Sequence, residues 1–102
     1  MMQFLLIAHD GKDDLALERR LAARQAHLAL GDQLKASGNL LFATAILDQS
    51  GTMAGSMLVL EYEDRAGLDA WLEREPYLTG DVWREVEISE CRVGPAFARP
   101  GA

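Results

Sequence analysis

The sequence predicts an α+β fold, a four-stranded antiparallel sheet with two helices packed on one face. Three observations predict it: periodic segments in the order strand, helix, strand, strand, helix, strand; helix-ending signals at Ser37-Gly38-Asn39 and Glu75-Pro76; and a glycine-containing loop between the two middle strands. This βαββαβ order is the split βαβ arrangement, and no repeat or linker interrupts it.

Residues 2 to 8 predict a short buried strand, closed by the turn formers His9-Asp10-Gly11. Asp13 and Asp14 suit the cap and first turn of a helix running from Asp14 to about Ala36, rich in Leu, Ala, Arg and Glu. Gly38 supplies the left-handed residue that ends it. Leu40 to Asp48 and Ser56 to Glu63 predict two strands joined as a hairpin through residues 49–55. Asp64 then caps a second helix with Leu68, Trp71 and Leu72 on one side, and Pro76 stops it by pushing Glu75 out of helical geometry. An irregular turn at Leu78 to Trp83 leads to a last strand over Glu85 to Val93, with a bulge or edge near Glu90. The domain is expected to span residues 1–95, with 96–102 as a loosely held tail.

The first three strands are apolar on both parities: Phe4 and Leu6 against Leu5 and Ile7, Phe42 and Ile46 against Leu41 and Leu47, Met57 and Val59 against Leu58 and Leu60. Two helices shield one face only, so the second needs cover. A second copy packed sheet to sheet supplies it, giving a homodimer of the dimeric α+β barrel type. The tail from Gly94, with Phe97 as its one large side chain, is a poor substitute.

Composition narrows the partners. Ten Lys and Arg against sixteen Asp and Glu give a net charge of −6, a field that repels nucleic acid and anionic membrane surfaces. Arg19, Arg20 and Arg24 nevertheless gather within two turns of the long helix and suit a small anion. The single Cys91 forms no internal disulfide, and the N-terminal apolar run is too short for a signal or a membrane span, which fits the cytoplasm. Cys91 receives no role. His9 and His27 share no metal-ligand spacing, and no phosphate loop, nucleophile elbow or cofactor lysine motif occurs, so neither metal nor cofactor is expected. Trp71 and Trp83 read as core or interface packing.

The chemistry concentrates on one helix face. Leu17, Leu21 and Leu28 form one apolar ridge, Ala16, Ala23, Leu30 and Leu34 another, and Arg20, Arg24, His27 and Gly31 run between them, a polar strip in a crevice between helix and sheet. Gly31 costs a helix about 1 kcal/mol relative to alanine, which suggests close approach by another strand or a partner, or space for a ligand. Glu75, placed at the negative end of the second helix, is positioned to welcome an imidazolium. If it reaches His27, it orients the ring for general-base work.

These residues carry a resemblance. Arg20-Leu21-Ala22-Ala23-Arg24-Gln25-Ala26-His27-Leu28, Gly55-Ser56, and Arg74-Glu75-Pro76-Tyr77 followed by Gly80 and Val82 resemble the YCII-related (YciI-like) family over nearly the whole chain. The resemblance implies a ferredoxin-like fold, dimeric α+β barrels and a pocket with a histidine and an aspartate. His27 takes the histidine position, and Glu75 stands where the family has Asp-Pro-Tyr, one methylene longer. Ala43-Thr44-Ala45 replaces the family's small-Gly-Pro, which reshapes the pocket wall. A family member that dehydrochlorinates a chlorinated hydroxyhydroquinone brings phenolic substrates into view.

The expected function is a small cofactor-independent enzyme, of lyase or isomerase type, moving a proton on a small polar or phenolic metabolite. His27 is the expected base and Glu75 its orienting acid, with Arg24, Arg20, Tyr77 and Ser56 contacting substrate. The alternative is a non-catalytic dimeric module that binds a small molecule or another protein.

Overall fold

The computed structural model describes residues 1–98. Its elements are β1 (Met2–Asp10), α1 (Ala16–Ser37), β2 (Leu40–Leu47), β3 (Met53–Tyr62), α2 (Arg65–Leu72), α3 (Pro76–Thr79) and β4 (Trp83–Cys91), followed by a 3-10 turn at Pro95–Phe97. The four strands form one sheet in the order β2-β3-β1-β4, every neighbouring pair antiparallel. This is the expected ferredoxin-like arrangement with α3 added. Of the expected tail, residues 99–102 lie outside the described residues.

Even-numbered β1 residues face the helices. Phe4, Leu6 and Ala8 pair with Leu60, Leu58 and Ser56 of β3 and bury there against Leu34 of α1 and Leu68 and Trp71 of α2. The opposite face presents Leu5, Ile7, Met57 and Val59, all partly exposed, and Phe42 at 60%. Phe42, Val59, Leu5, Val93 and Phe97 border an apolar groove on that side, but Phe97 is itself 82% exposed and does not close it.

Two local features set register. Gly55 lies inside β3, not in the expected loop, because a Cβ there would sit 2.5 Å from the Ala8 carbonyl oxygen on β1. The hairpin is correspondingly tight: Asp48 Oδ1 accepts the Ser50 and Thr52 N–H groups, and Gly51 takes positive φ. Of the bulge or edge expected near Glu90, the edge is what β4 shows, and the bulge falls between His9 and Asp10 of β1, where His9 pairs with Glu85 and Asp10 with Trp83. Skipping Arg84 in this way brings Trp83 to the helix-covered side.

The helices differ from expectation at their starts. Leu15 occupies the cap position of α1 without a side-chain bond, and Asp13 serves the entry by accepting Leu15 N–H (3.4 Å) on its carboxylate and Ala16 N–H (3.1 Å) on its carbonyl. Gly38 ends α1 at φ 85°, its N–H reaching Leu34 and Lys35 carbonyls. Asp64 caps α2 through Gly67 N–H at 3.0 Å. Pro76 opens α3 at its first turn, where its fixed φ fits and no N–H is needed, so a helical turn replaces part of the expected irregular segment.

The two apolar ridges of α1 are not equivalent. Leu34 is buried and Leu30 packs on the core, whereas Leu17, Leu21 and Leu28 are 39%, 54% and 47% exposed. The helix turns part of its polar strip inward, burying Arg20 to 3%. Nor does a strand crowd Gly31: a Cβ there would meet only the Leu40 side chain, at 3.8 Å.

Candidate functional site

The site assembles where the inner strip of α1 meets the junction of α2 and α3. His27 Nδ1 is hydrogen-bonded to Glu75 Oε1, and the same carboxylate oxygen accepts Tyr77 N–H at 3.2 Å. With Glu75 ionised and the imidazole neutral, Nδ1–H donates to the carboxylate and Nε2 carries the lone pair. Glu75 is 2% exposed and the His27 side chain 16%. Glu75 does follow the end of α2, its N–H donating to the Leu72 carbonyl at 3.2 Å, but it has a second place the expectation lacked. It is the cap residue of α3, fixed by the N–H of that turn, and its extra methylene does not prevent contact with the imidazole.

Tyr77 holds the ring plane. Its phenol stacks on His27 with centroids 3.8 Å apart at 10°, while the Trp83 indole stands edge-on to both, 6.1 Å from His27 and 5.8 Å from Tyr77. Arg20 Cζ lies 4.7 Å from the Tyr77 centroid. Burial pushes the Tyr77 phenol above its ordinary value against the opposing pull of Arg20 and Arg24, so it is protonated at neutral pH and available as a donor.

Behind these groups lies a buried polar strut. Arg20 Nη1 donates to both Asp10 oxygens at 3.0 Å, Arg20 Nη2 donates to Ser56 Oγ at 3.2 Å, and Trp83 Nε1 donates to the same Oγ at 3.1 Å. With both lone pairs of Ser56 engaged, its own proton is the group left to donate. Arg19 is committed elsewhere, to Asp13 at 2.7 Å and the Asp81 carbonyl at 3.0 Å, and holds the Asp13 carboxyl well below the usual carboxylate range. Of the three arginines expected to gather for an anion, Arg24 alone makes no side-chain hydrogen bond or ion pair among the described residues.

Arg20, Arg24, His27, Ser56 and Tyr77 line one cleft of about 200 Å³, walled on the far side by Ala43, Thr44 and Ala45 of β2. Glu75 stands behind His27 and opens on a narrower crevice beside it. All six expected site residues therefore meet in one region, with Arg20 and Ser56 already tied to protein partners. Sequence reasoning missed Asp10, read as a turn former, and Trp83, read as packing. The signal for Asp10 was its parity with Phe4, Leu6 and Ala8, since an acid on the inner side of a strand needs a buried cation. Among the described residues no group of three or more His, Cys, Asp or Glu side chains converges as a metal site would require, and no helix is long and apolar enough to cross a membrane.

A family model for the YCII-related domain matches residues 2–92. The chain belongs to the YCII-related family. It is 32% identical over 93 residues to Protein YciI of Escherichia coli O6:H1, covering 85% of this chain and 93% of that protein. An uncharacterized protein of Haemophilus influenzae is 33% identical over the same extents. Among solved structures, this YCII-related chain is similar to 5-chloro-2-hydroxyhydroquinone dehydrochlorinase from Burkholderia phenoliruptrix, in complex with 2,5-dihydroxybenzoquinone. That match has a TM-score of 0.80 at 23% identity and covers 93% of this chain and 98% of the other. A dimeric ferredoxin-like protein of unknown function from Jannaschia matches with a TM-score of 0.57 at 15% identity over 91% and 100%. At these identities the two structures bear on the fold.

Proposed function

We propose that this YCII-related protein is a cofactor-independent enzyme of lyase or isomerase type, moving a proton on a small polar or phenolic metabolite. The observation that carries the reading is the hydrogen bond between His27 Nδ1 and the buried Glu75 carboxyl, on a ring that borders the cleft; in the proposed state Nδ1 holds the proton and Nε2 is the basic atom. His27 Nε2 takes a proton from substrate carbon or hydroxyl, and the released electron pair forms a new double bond as a leaving group departs or the proton returns elsewhere. Glu75 stabilises the imidazolium that results. Arg24 meets an anionic oxygen of the substrate, and Tyr77 and Ser56 donate hydrogen bonds from the cleft wall. Arg20 positions Tyr77 and Ser56 through its contact with the ring face and its hydrogen bond to Oγ.

Residues 1–95 form the working domain in this reading, and two copies join through the open sheet face in the cytoplasm. The apolar groove there and the dimeric ferredoxin-like neighbours support the pairing.

The first substrate to try is 5-chloro-2-hydroxyhydroquinone, because a structural neighbour acts on it. Chloride release by the wild type, absent from His27→Ala, supports the reading. Ring 15N shifts of His27 should report the Nδ1-protonated tautomer and lose that preference in Glu75→Ala. A Nε2-protonated ring in the wild type, with no turnover across a panel of phenols and hydroxy acids that nonetheless bind, would leave a non-catalytic binding module.

A further inference from the structure

Beside the His27 cleft, farther along α1, lies the crevice on which Glu75 opens, a hollow of about 150 Å³. It shares His27, Leu28, Ala43 and Leu58 with the cleft as common borders, so the two hollows abut along one seam. Away from that seam their linings differ. The cleft has Arg20, Arg24, Ser56 and Tyr77, whereas the crevice has Leu34, Leu40 and Trp71. The polar borders of the crevice are the His27 and Glu75 pair and two exposed residues, Asp32 and Lys35.

Gly31 borders the crevice and not the cleft. A glycine inside a 22-residue helix weakens it relative to alanine, and no neighbour demands one here, since an added Cβ would meet only the Leu40 side chain at 3.8 Å. Gly31 and Leu40 both line the crevice, so the space left by the missing side chain belongs to it. Leu28, on the seam, is 47% exposed, an apolar side chain that a molecule lying across both hollows would cover. An apolar void of about 150 Å³ is large enough to take one benzene ring.

We propose that the crevice is a subsite for an apolar arm about as large as a phenyl ring, carried by the phenolic molecule whose polar head occupies the His27 cleft. The subsite rests on the reading of that cleft as a small-molecule site, and it narrows the ligand to phenols with an apolar substituent. Gly31 keeps the crevice open, and the arm takes the room that a longer side chain on the helix would fill.

The test compares hydroquinone, a head without an arm, with phenylhydroquinone, in anaerobic titrations of the full chain followed by calorimetry and methyl NMR. Phenylhydroquinone should bind at least about tenfold more tightly. Both should shift the Met53 methyl signal, since Met53 borders the cleft and not the crevice, while phenylhydroquinone alone should shift the Leu40 methyls, which border the crevice and not the cleft. (Hydroxymethyl)hydroquinone, whose arm is polar, should bind no better than hydroquinone. Gly31→Leu should cut the advantage of the phenyl arm to under about threefold while hydroquinone binds as before. Equal affinities in the wild type, with Met53 shifted and Leu40 unmoved, overturn the subsite and leave the cleft standing, as does a phenyl advantage that survives in folded Gly31→Leu. Neither ligand shifting Met53 removes the reading of the cleft and the subsite with it.

Discussion

Replacing Asp10 with alanine isolates the buried strut. The Arg20 guanidinium is 3% exposed. Its Nη1 gives both its hydrogen bonds to the Asp10 carboxylate at 3.0 Å, and what remains is one bond to Ser56 and the face of Tyr77. Asp10→Ala thus strands a cation out of water, a change that costs about 3–5 kcal/mol in comparable pairs. Against a total of about 5–15 kcal/mol, that is a large share of the stability of the fold. Urea unfolding followed by circular dichroism should show the midpoint fall steeply with little change in slope. Asp10→Ala combined with Arg20→Met removes both charges while keeping an unbranched side chain of similar length, and should return to within about 1–2 kcal/mol of the wild type. Asp10→Ala costing under about 1 kcal/mol, or a double variant costing the sum of the two singles, would refute the reasoning.

Other expectations follow from the same geometry. Glu75→Gln should lower kcat by about 10²–10⁴, read in the chloride-release assay, because a neutral amide no longer stabilises the imidazolium formed on His27. Gly31→Ala should stabilise the protein by up to about 1 kcal/mol in thermal melts, since its Cβ meets only Leu40 at 3.8 Å. Under the proposed pairing through the open face, Val59→Glu should leave only monomer in sedimentation runs without changing the far-ultraviolet spectrum. Burial raises the Tyr62 and Tyr77 phenols above their ordinary 10.0, so the stability they contribute is whole below pH 10 and falls as pH climbs through their folded values. Denaturant midpoints should drop on that alkaline limb, and Tyr62→Phe should flatten it.

The long helix, the antiparallel sheet and the meeting of His27 with Glu75 were legible because each rests on a local signal: Gly38 as terminator, Asp64 as cap, two parities of apolar residues, and a motif around each partner of the pair. What escaped was tertiary. Pro76 is compatible with stopping one helix and with starting another, and packing of Tyr77 and Val82 chose the second. Arg20 reads as a crevice cation free to meet an anion until Asp10 is known to face it, and Asp10 faces it only because β1 keeps its alternation one residue longer than the turn-forming dipeptide suggests. The bulge that carries Trp83 inward has no signature in the chain itself.

The sheet order leaves β2 at a border of the single chain, and it is β2 that supplies Ala43, Thr44 and Ala45 to the cleft. A strand bonded on one side alone tolerates bulges, prolines and altered side chains that a central strand does not. The catalytic candidates sit on the long helix and a buried junction, whereas the wall facing them is built on one of the two edge strands of the fold. Diversification of substrate preference within such a scaffold then needs only a few changes along that border, with the proton-handling groups left where they are.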